Sequence, residues 1–325
     1  VMIASPAVAA CSSIVGFGEL QKVSGVEEDD EPDTSTTGRS DTGPRDGGGS
    51  KSDGPVVPSK CDLSKPFTPP VALSGPVNSA SFEVAPSLTR NELTMIFQRT
   101  VGPEGGSIML ATRTSTDEPF GEPQELTALA QGLDGLQQPT MTADGLLMFF
   151  IGVKGSNGRV FTASRASASG EFTNRREAIE LGSSSMNMSF PGLTPNGAEL
   201  WFSTDPGVAQ PRHFVRSVRD NLGSYGEAIA VGELASAESE AAIAFSFDGL
   251  TIYFGSERPG GKGDSDIWTA HRDTMNAAFG PATPVAELNS GVSEYPGWLS
   301  EDGCRLYFAS ERSGDGDIFV ATRAP

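Results

Sequence analysis

Residues 246–268 read SFDGLTIYFGSERPGGKGDSDIW, and residues 300–319 read SEDGCRLYFASERSGDGDIF. Each stretch has an Asp-Gly pair, an apolar run that ends in Phe, a Gly-rich segment and the start of a second apolar run. Asp-Gly between alternating apolar stretches is the strongest short signal for a β-hairpin. Both stretches therefore predict a tight turn, a strand, a loop and a further strand.

The same pattern occurs five times along the chain. In each copy one apolar run is closed by Phe and a later run by Arg; these are Phe97, Phe150, Phe202, Phe254 and Phe308, and Arg113, Arg165, Arg219, Arg272 and Arg323. Successive arginines are 51 to 54 residues apart. Four antiparallel strands recurring at about 40 to 50 residues are typical of a propeller blade. The sequence predicts an all-β, five-bladed β-propeller over residues 61–325.

The ends of this region predict how the ring closes. The fifth copy has no fourth strand after Arg323, whereas residues 67–73, FTPPVAL, parallel the fourth strand of the preceding copy, FGPATPVAEL at residues 279–288. A strand contributed from the N-terminal side would remove the free edge of the last sheet. We therefore expect residues 67–75 to complete the last blade.

These units resemble the WD40-like repeats of TolB-type propellers, most clearly at residues 246–268 and 300–319. The resemblance covers roughly residues 65–325, and the first three copies depart from it; Val153-Lys-Gly and Asp205-Pro-Gly replace the Ser-Glu-Arg of copies 4 and 5. TolB itself has six blades and a separate N-terminal domain, so its partners are not transferred. The resemblance implies architecture and a general expectation of protein or ligand binding.

The N-terminal residues predict export and a lipid anchor. Val8-Ala9-Ala10-Cys11 resembles the lipobox of bacterial lipoproteins, so residues 1–11 are expected to be the remnant of a signal peptide with Cys11 as the lipidation site. Residues 12–60 are acidic and rich in Gly, Ser and Pro, and their small apolar content predicts a disordered linker. We expect a cell-envelope protein anchored in the outer membrane and facing the periplasm or cell surface.

Charge limits the partners. The chain has 23 Lys and Arg against 42 Asp and Glu, a formal charge of -19, which disfavours nucleic acid and anionic membrane surfaces. The expected partner is an envelope protein or a small-molecule or glycan ligand. The chain is expected to be a monomer that meets the membrane only through its lipid.

The candidate binding residues lie at the start of the first strand of each copy. Glu83, Glu240 and Glu294 occupy that place in three copies, with Gln137 and Ser189 in the other two, and all five are expected to face the central channel. Five-bladed glycosidases place three acids on such strands, so a carbohydrate-active enzyme is the alternative. No independent acid–base signature or serine triad accompanies them, which favours a non-catalytic binding or scaffolding propeller.

Two acidic loops raise the question of calcium. Asp264 and Asp266, and likewise Asp315 and Asp317, could supply hard oxygen ligands, but the loops lack the regular spacing of a calcium-binding loop. The favoured interpretation pairs Asp266 with Arg258 and Asp317 with Arg312. His213 and His271 have no partner at metal-ligand spacing, so no metal and no cofactor are expected.

The two remaining cysteines, Cys61 and Cys304, predict a disulfide in an exported protein. Cys304 opens the second strand of the last copy, and Cys61 lies six residues before the borrowed strand. The starts of those strands lie about 10 Å apart at about 4.8 Å per strand, a gap that the lead-in can span. The bridge would hold the ring closed.

Overall fold

The computed structural model describes residues 60–100, 105–182, 186–205 and 210–325. It contains five four-stranded antiparallel sheets and no α-helix among these residues. The predicted five-bladed β-propeller is confirmed. Cys11, residues 1–11 and the linker up to residue 59 lie outside the described residues.

The blades are numbered in chain order, and the four strands of each are named a to d. Blade 1 contains β2 Phe82–Leu88, β3 Thr94–Thr100, β4 Gly106–Thr112 and β5 Gln124–Glu125; blade 2 contains β6 Gly135–Met141, β7 Leu147–Lys154, β8 Asn157–Ser164 and β9 Thr173–Glu177; blade 3 contains β10 Asn187–Leu193, β11 Glu199–Asp205, β12 His213–Val218 and β13 Ile229–Ala230. Blade 4 contains β14 Glu240–Phe245, β15 Thr251–Ser256, β16 Asp266–His271 and β17 Thr283–Pro284; blade 5 contains β18 Glu294–Leu299, β19 Arg305–Ser310, β20 Asp317–Thr322 and, as its strand d, β1 Val71–Ala72. Short 3₁₀ turns occur at Thr127–Ala130, Ile179–Leu181 and Gly232–Leu234.

The ring closes as the sequence predicts. Val71 is the register partner of Val320, and an isolated bridge joins Phe67 to Arg323. The Arg323 guanidinium lies over the Phe67 ring at 4.2 Å from its centroid. The last sheet therefore receives its outer strand from the N-terminal side.

A disulfide joins Cys61 to Cys304, with 5.8 Å between the Cα atoms. This is the pair that the sequence predicts. The segment that carries Cys61 is also tied to the C-terminal end by a hydrogen bond from Asp62 N to Ala324 O at 3.0 Å. The disulfide and this hydrogen bond thus hold the N-terminal segment against blade 5, where the ring closes.

The core is divided among the five junctions between neighbouring blades. At the junction of blades 3 and 4, for example, Trp201 and Phe214 of blade 3 pack against Phe254 and Trp268 of blade 4. Four further clusters of the same kind fill the other junctions, including the one between blades 5 and 1. Because every blade buries both faces against neighbours, no blade has a complete core by itself.

The turn between strands a and b is built alike in all five blades. A Thr or Ser hydroxyl donates to Oδ1 of an Asp or Asn two residues later; the five pairs are Thr89 with Asn91, Thr142 with Asp144, Thr194 with Asn196, Ser246 with Asp248, and Ser300 with Asp302. The same Oδ1 atoms accept a backbone N–H two residues further on. These side chains supply the turn with acceptors that the backbone lacks, which is why Asx residues recur there.

Each strand a contains a β-bulge. The register with strand b shifts within β2, β6, β10, β14 and β18, and the backbone has a left-handed φ at four of these sites, namely Ala85, Gln138, Phe190 and Ala242. A bulge adds one unpaired residue and changes which side chains face each side of the strand. The candidate site residues lie on the N-terminal side of this irregularity.

No helix among the residues placed by the structure is long and apolar enough to span a bilayer.

Candidate functional site

The glutamates at the start of strand a do not face an open channel. Glu83, Glu240 and Glu294 are all 0% exposed. Glu83 accepts hydrogen bonds from Arg99 Nε at 2.7 Å and from Ser79 Oγ at 2.6 Å. Its charge is therefore paired inside the protein.

Glu240 and Glu294 are held in the same way. Glu240 accepts from Arg258 Nη2 at 3.0 Å and lies 2.8 Å from His213 Nδ1. Glu294 accepts from Arg312 Nη2 at 3.1 Å. In these two blades the arginine of the Ser-Glu-Arg sequence neutralises the strand-a glutamate, and the prediction that Arg258 and Arg312 pair with Asp266 and Asp317 is wrong.

Gln137 and Ser189 are not the counterparts of these glutamates. Glu83, Glu240 and Glu294 each pair with the residue two positions after the Phe that ends strand b. By that criterion the equivalent residues in blades 2 and 3 are Leu136 and Met188. The sequence alignment of strand a was one residue out of register there, because Gln137 and Ser189 lie next to the bulge.

The acidic loops have other partners. Asp266 Oδ2 accepts hydrogen bonds from the backbone N–H of Lys262 at 2.8 Å and of Gly263 at 3.1 Å. Asp317 Oδ2 accepts a side-chain hydrogen bond from the Ser313 hydroxyl. Within the described ranges no group of three or more His, Cys, Asp or Glu side chains has the arrangement of a metal site. These aspartates shape the loops between strands b and c.

The channel itself is narrow. Two cavities of about 40 and 20 Å³ lie along it, and the smaller is lined by residues of all five strands a, among them Ala85, Pro139, Phe190, Ala242 and Pro296. A cavity needs about 10 to 15 Å³ to hold one water molecule. The channel therefore has room for a few waters and none for a sugar ring.

One mouth of the channel, on the side of the b–c loops, is aromatic and acidic. Phe190 and Tyr295 stack across it with ring centroids 5.9 Å apart and an angle of 13° between the planes. Glu257 and Glu311 lie nearby, at the repeat position filled by Asp205 in blade 3. Burial raises the pKa of Glu257 and of Glu311, and repulsion from Asp264 acts in the same direction on both. We call this set the loop-side mouth.

The opposite mouth is formed by the a–b turns. The second residue of each turn lines it, and these residues are Arg90, Ala143, Pro195, Phe247 and Glu301. Arg90 donates from Nε to Glu301 at 2.6 Å and lies over the Phe247 ring at 4.6 Å. The hydrogen bonds to Glu301 raise the pKa of Arg90.

Beside this pair lies a cavity with a volume of about 760 Å³, larger than the two along the channel. It is bounded mainly by blades 1 to 3, and its lining includes Thr94, Asn91, Asp144, Asn196 and Arg219. We call it the turn-side cavity. Sequence reasoning missed it, although the variable second residue of five otherwise similar turns was a signal that could have identified its rim.

Comparisons with known proteins agree on the fold. No protein-family model matches the sequence, and no curated protein matches it. Among solved structures, TolB from Acinetobacter baumannii is 17% identical with a TM-score of 0.47; the alignment covers 76% of this chain and 56% of TolB, so the chain spans little more than half of that protein.

Two enzymes with known structures are also similar. A thermostable family-43 glycoside hydrolase is 11% identical with a TM-score of 0.51, over 76% of this chain and 91% of the enzyme. The β-1,2-mannobiose phosphorylase from Listeria innocua is 10% identical with a TM-score of 0.52, over 77% of this chain and 92% of that one. At these identities the likeness shows the propeller fold alone.

Proposed function

We propose that this chain is a non-catalytic binding propeller of the bacterial cell envelope. The observation that carries the proposal is the complete burial of Glu83, Glu240 and Glu294, each bound to an arginine. A buried carboxylate paired with a guanidinium cannot reach a substrate, and removing one partner of such a pair is strongly destabilising. These glutamates stabilise the blades, so contacts with partners are made at the two mouths of the channel.

The shape of the channel supports the same conclusion. A glycosidase needs a sugar ring between two carboxylates that are about 5 to 10 Å apart. The channel cavities of about 40 and 20 Å³ leave no such space. Binding on the surface of a mouth requires no wider channel.

The test is to assay the wild type against a glycan panel and to measure the stability of the variants E83Q, E240Q and E294Q. We expect no turnover by the wild type, and a loss of about 3 to 5 kcal/mol in the free energy of unfolding for each variant. Turnover that one of these variants abolishes while its unfolding transition stays unchanged would contradict the proposal.

Attachment to the envelope is part of the proposal. The sequence Val8-Ala9-Ala10-Cys11 and the acidic stretch that follows it support a diacylated Cys11 and a linker that holds the propeller away from the bilayer. Expression of the chain behind a lipoprotein leader, with mass spectrometry of its N-terminal peptide, tests this. We expect an acylated Cys11, and its replacement in C11S should release the protein from the membrane fraction.

A carbohydrate-active enzyme is the second candidate, and one observation favours it. Burial raises the pKa of Glu257 and Glu311 beside Tyr295, and a raised carboxyl pKa is what a general acid requires. Such an enzyme would act at the loop-side mouth. Turnover of any glycan that is lost in both E257Q and E311Q, and kept in E240Q, would establish this candidate in place of the first.

A further inference from the structure

The arginine that ends strand c binds a side chain of the preceding blade at some junctions and not at others. In blades 1, 4 and 5 its Nη2 atom donates to a side chain of the preceding blade; the pairs are Arg113 with Tyr307 at 3.1 Å, Arg272 with Glu199 at 2.9 Å, and Arg323 with Tyr253 at 2.8 Å. Two of these acceptors immediately precede the Phe that ends strand b, and Glu199 lies two residues further back. A guanidinium and an acceptor therefore join three of the five junctions.

At the other two junctions, no such hydrogen bond joins the arginine to a side chain of the preceding blade among the described residues. At the two positions that hold the acceptors elsewhere, blade 1 has Ile96 and Thr94 next to Arg165 of blade 2. Blade 2 has Phe149 and Leu147 at those positions, next to Arg219 of blade 3. Arg165 is only 6% exposed, and its Nη2 has no hydrogen-bond partner among the described residues. Burial accordingly lowers the pKa of Arg165, against the attraction of Asp144.

Both arginines adjoin the turn-side cavity. Arg219 lines it directly. Arg165 lies just behind its wall, because a β-carbon built on Gly145 would be 2.9 Å from Arg165 Nη2 and 2.7 Å from Cγ2 of Thr89. Thr89 lines the cavity. Two arginines with donors that no described acceptor uses thus adjoin this cavity, in a chain whose net charge is -19.

The turn asparagines add neutral donors. Asn91 Oδ1 accepts a hydrogen bond from Leu93 N at 3.1 Å, and Asn196 Oδ1 accepts one from Ala198 N at 3.0 Å. These bonds fix the orientation of each amide and leave its Nδ2 group as a donor. Neither Nδ2 makes a hydrogen bond within the part of the chain that the structure describes. Both residues are exposed and line the cavity.

We infer that the turn-side cavity is a binding site for a small ligand that carries an oxyanion, a carboxylate or a phosphate group. Arg219, Asn91 and Asn196 line the wall with donors, and Arg165 lies behind it. Of the two carboxylates in the lining, Glu301 is already paired with Arg90. Guanidinium and amide donors in this arrangement suit the oxygens of an oxyanion. The volume of about 760 Å³ falls within the range of small-molecule sites.

Asp144 provides the sharpest test. It is the one carboxylate of the lining that forms no ion pair with another described residue, and its Oδ1 already serves the turn. The substitution D144N keeps that oxygen, as Asn91 and Asn196 do, and removes one negative charge. N196D makes the reverse change and is compatible with the turn, because three of the five turns contain Asp. D248N is the matched control, since Asp248 does not line the cavity.

The experiment titrates the full chain with inorganic phosphate and, separately, with succinate, using calorimetry at low salt. We expect at least one probe to bind saturably, about fivefold more tightly to D144N, about fivefold more weakly to N196D and unchanged to D248N. The probe that binds identifies phosphate or carboxylate as the preferred group. Equal effects of D144N and D248N, or no saturation by either probe at about 20 mM, would overturn the inference.

The inference rests on the proposed function, because it assigns the site at which a binding propeller would take a small ligand. Its failure is distinguishable from failure of that function. An absence of anion binding leaves the burial of the strand-a glutamates and the lack of turnover as they are, whereas turnover would overturn the function whichever probe binds.

Discussion

The junction between blades 5 and 1 and the junction between blades 1 and 2 use the same repeat differently. At the first, buried Glu92 binds Arg305, and Tyr307 donates to Glu92 at 2.9 Å while accepting from Arg113 at 3.1 Å. At the second, Arg165 Nε donates to the Gly145 carbonyl at 2.6 Å and the guanidinium lies over the Phe172 ring at 4.6 Å, and both partners belong to its own blade. One residue at a fixed repeat position thus joins blades where acceptors exist and leaves donors unused where they do not.

The difference teaches that one repeat position can either join two blades or leave guanidinium donors beside a cavity. Among the described residues, Arg90 with Glu301 and Arg305 with Glu92 form ion pairs across the junction of blades 5 and 1. The disulfide lies within blade 5, where the ring closes. Arg165 and Arg219, at the junctions of blades 1 and 2 and of blades 2 and 3, adjoin the turn-side cavity instead.

The largest effect is expected at Glu92. The substitution E92Q removes the charge that Arg305 and Arg113 share, and Glu92 is 4% exposed, so two guanidinium groups would be left without their carboxylate. We expect a loss of about 3 to 5 kcal/mol in the free energy of unfolding, measured by urea denaturation. E122Q, at an exposed position, should change stability by less than about 0.5 kcal/mol. Similar values for both variants would contradict the role of Glu92.

The next effect is expected from the disulfide. Reducing the bond between Cys61 and Cys304 removes a cross-link between residues that are 243 positions apart in sequence. We expect a loss of about 2 to 4 kcal/mol, seen as a lower melting temperature in dithiothreitol. The double variant C61S/C304S should melt at that lower temperature with or without reductant. A wild type that melts alike in both conditions would show that the bond adds nothing where the ring closes.

The smallest effect concerns pH and the loop-side mouth. A carboxyl group whose pKa is raised in the folded protein stabilises the fold while protonated, and this stability is lost as pH rises through the folded pKa. Glu257 and Glu311 are such groups. E257Q should therefore be more stable than the wild type at pH 7, by less than about 1 kcal/mol because Glu257 is only partly shielded from solvent, and the difference should vanish below about pH 4.5. A variant that is less stable at pH 7 would refute the sign.

The sequence predicts the architecture because each repeat contains residues that strongly favour a tight turn or the end of a strand. The Asp-Gly and Asn-Gly turns, the Phe that ends strand b and the Arg that ends strand c fix the blade boundaries. The aromatic Phe67 identifies the borrowed strand because it matches Phe279, and in the structure both rings lie under the arginine of strand c. Local patterns of this kind require no knowledge of distant contacts.

The site residues were harder to predict because their orientation depends on the register of strand a. Glu83 pairs two residues beyond the Phe that ends strand b, whereas Gln137 and Ser189 pair one residue beyond it, and a one-residue difference places side chains on opposite faces. Nothing in Pro86 or Pro139 alone shows which residue becomes the unpaired one. The arginine partners were likewise unpredictable, because Arg258 reaches Glu240 of strand a and not an acid in its own loop.

The most direct test of the account compares the same substitution at the two kinds of junction, R272Q and R165Q. Both arginines donate to a glycine carbonyl and lie over the Phe of strand d, and only Arg272 also binds a buried glutamate, Glu199. Denaturant unfolding should show R272Q to be less stable than R165Q by about 2 kcal/mol. Equal losses, or a larger loss in R165Q, would contradict the claim that Arg272 stabilises the junction of blades 3 and 4 whereas Arg165 does not stabilise the junction of blades 1 and 2.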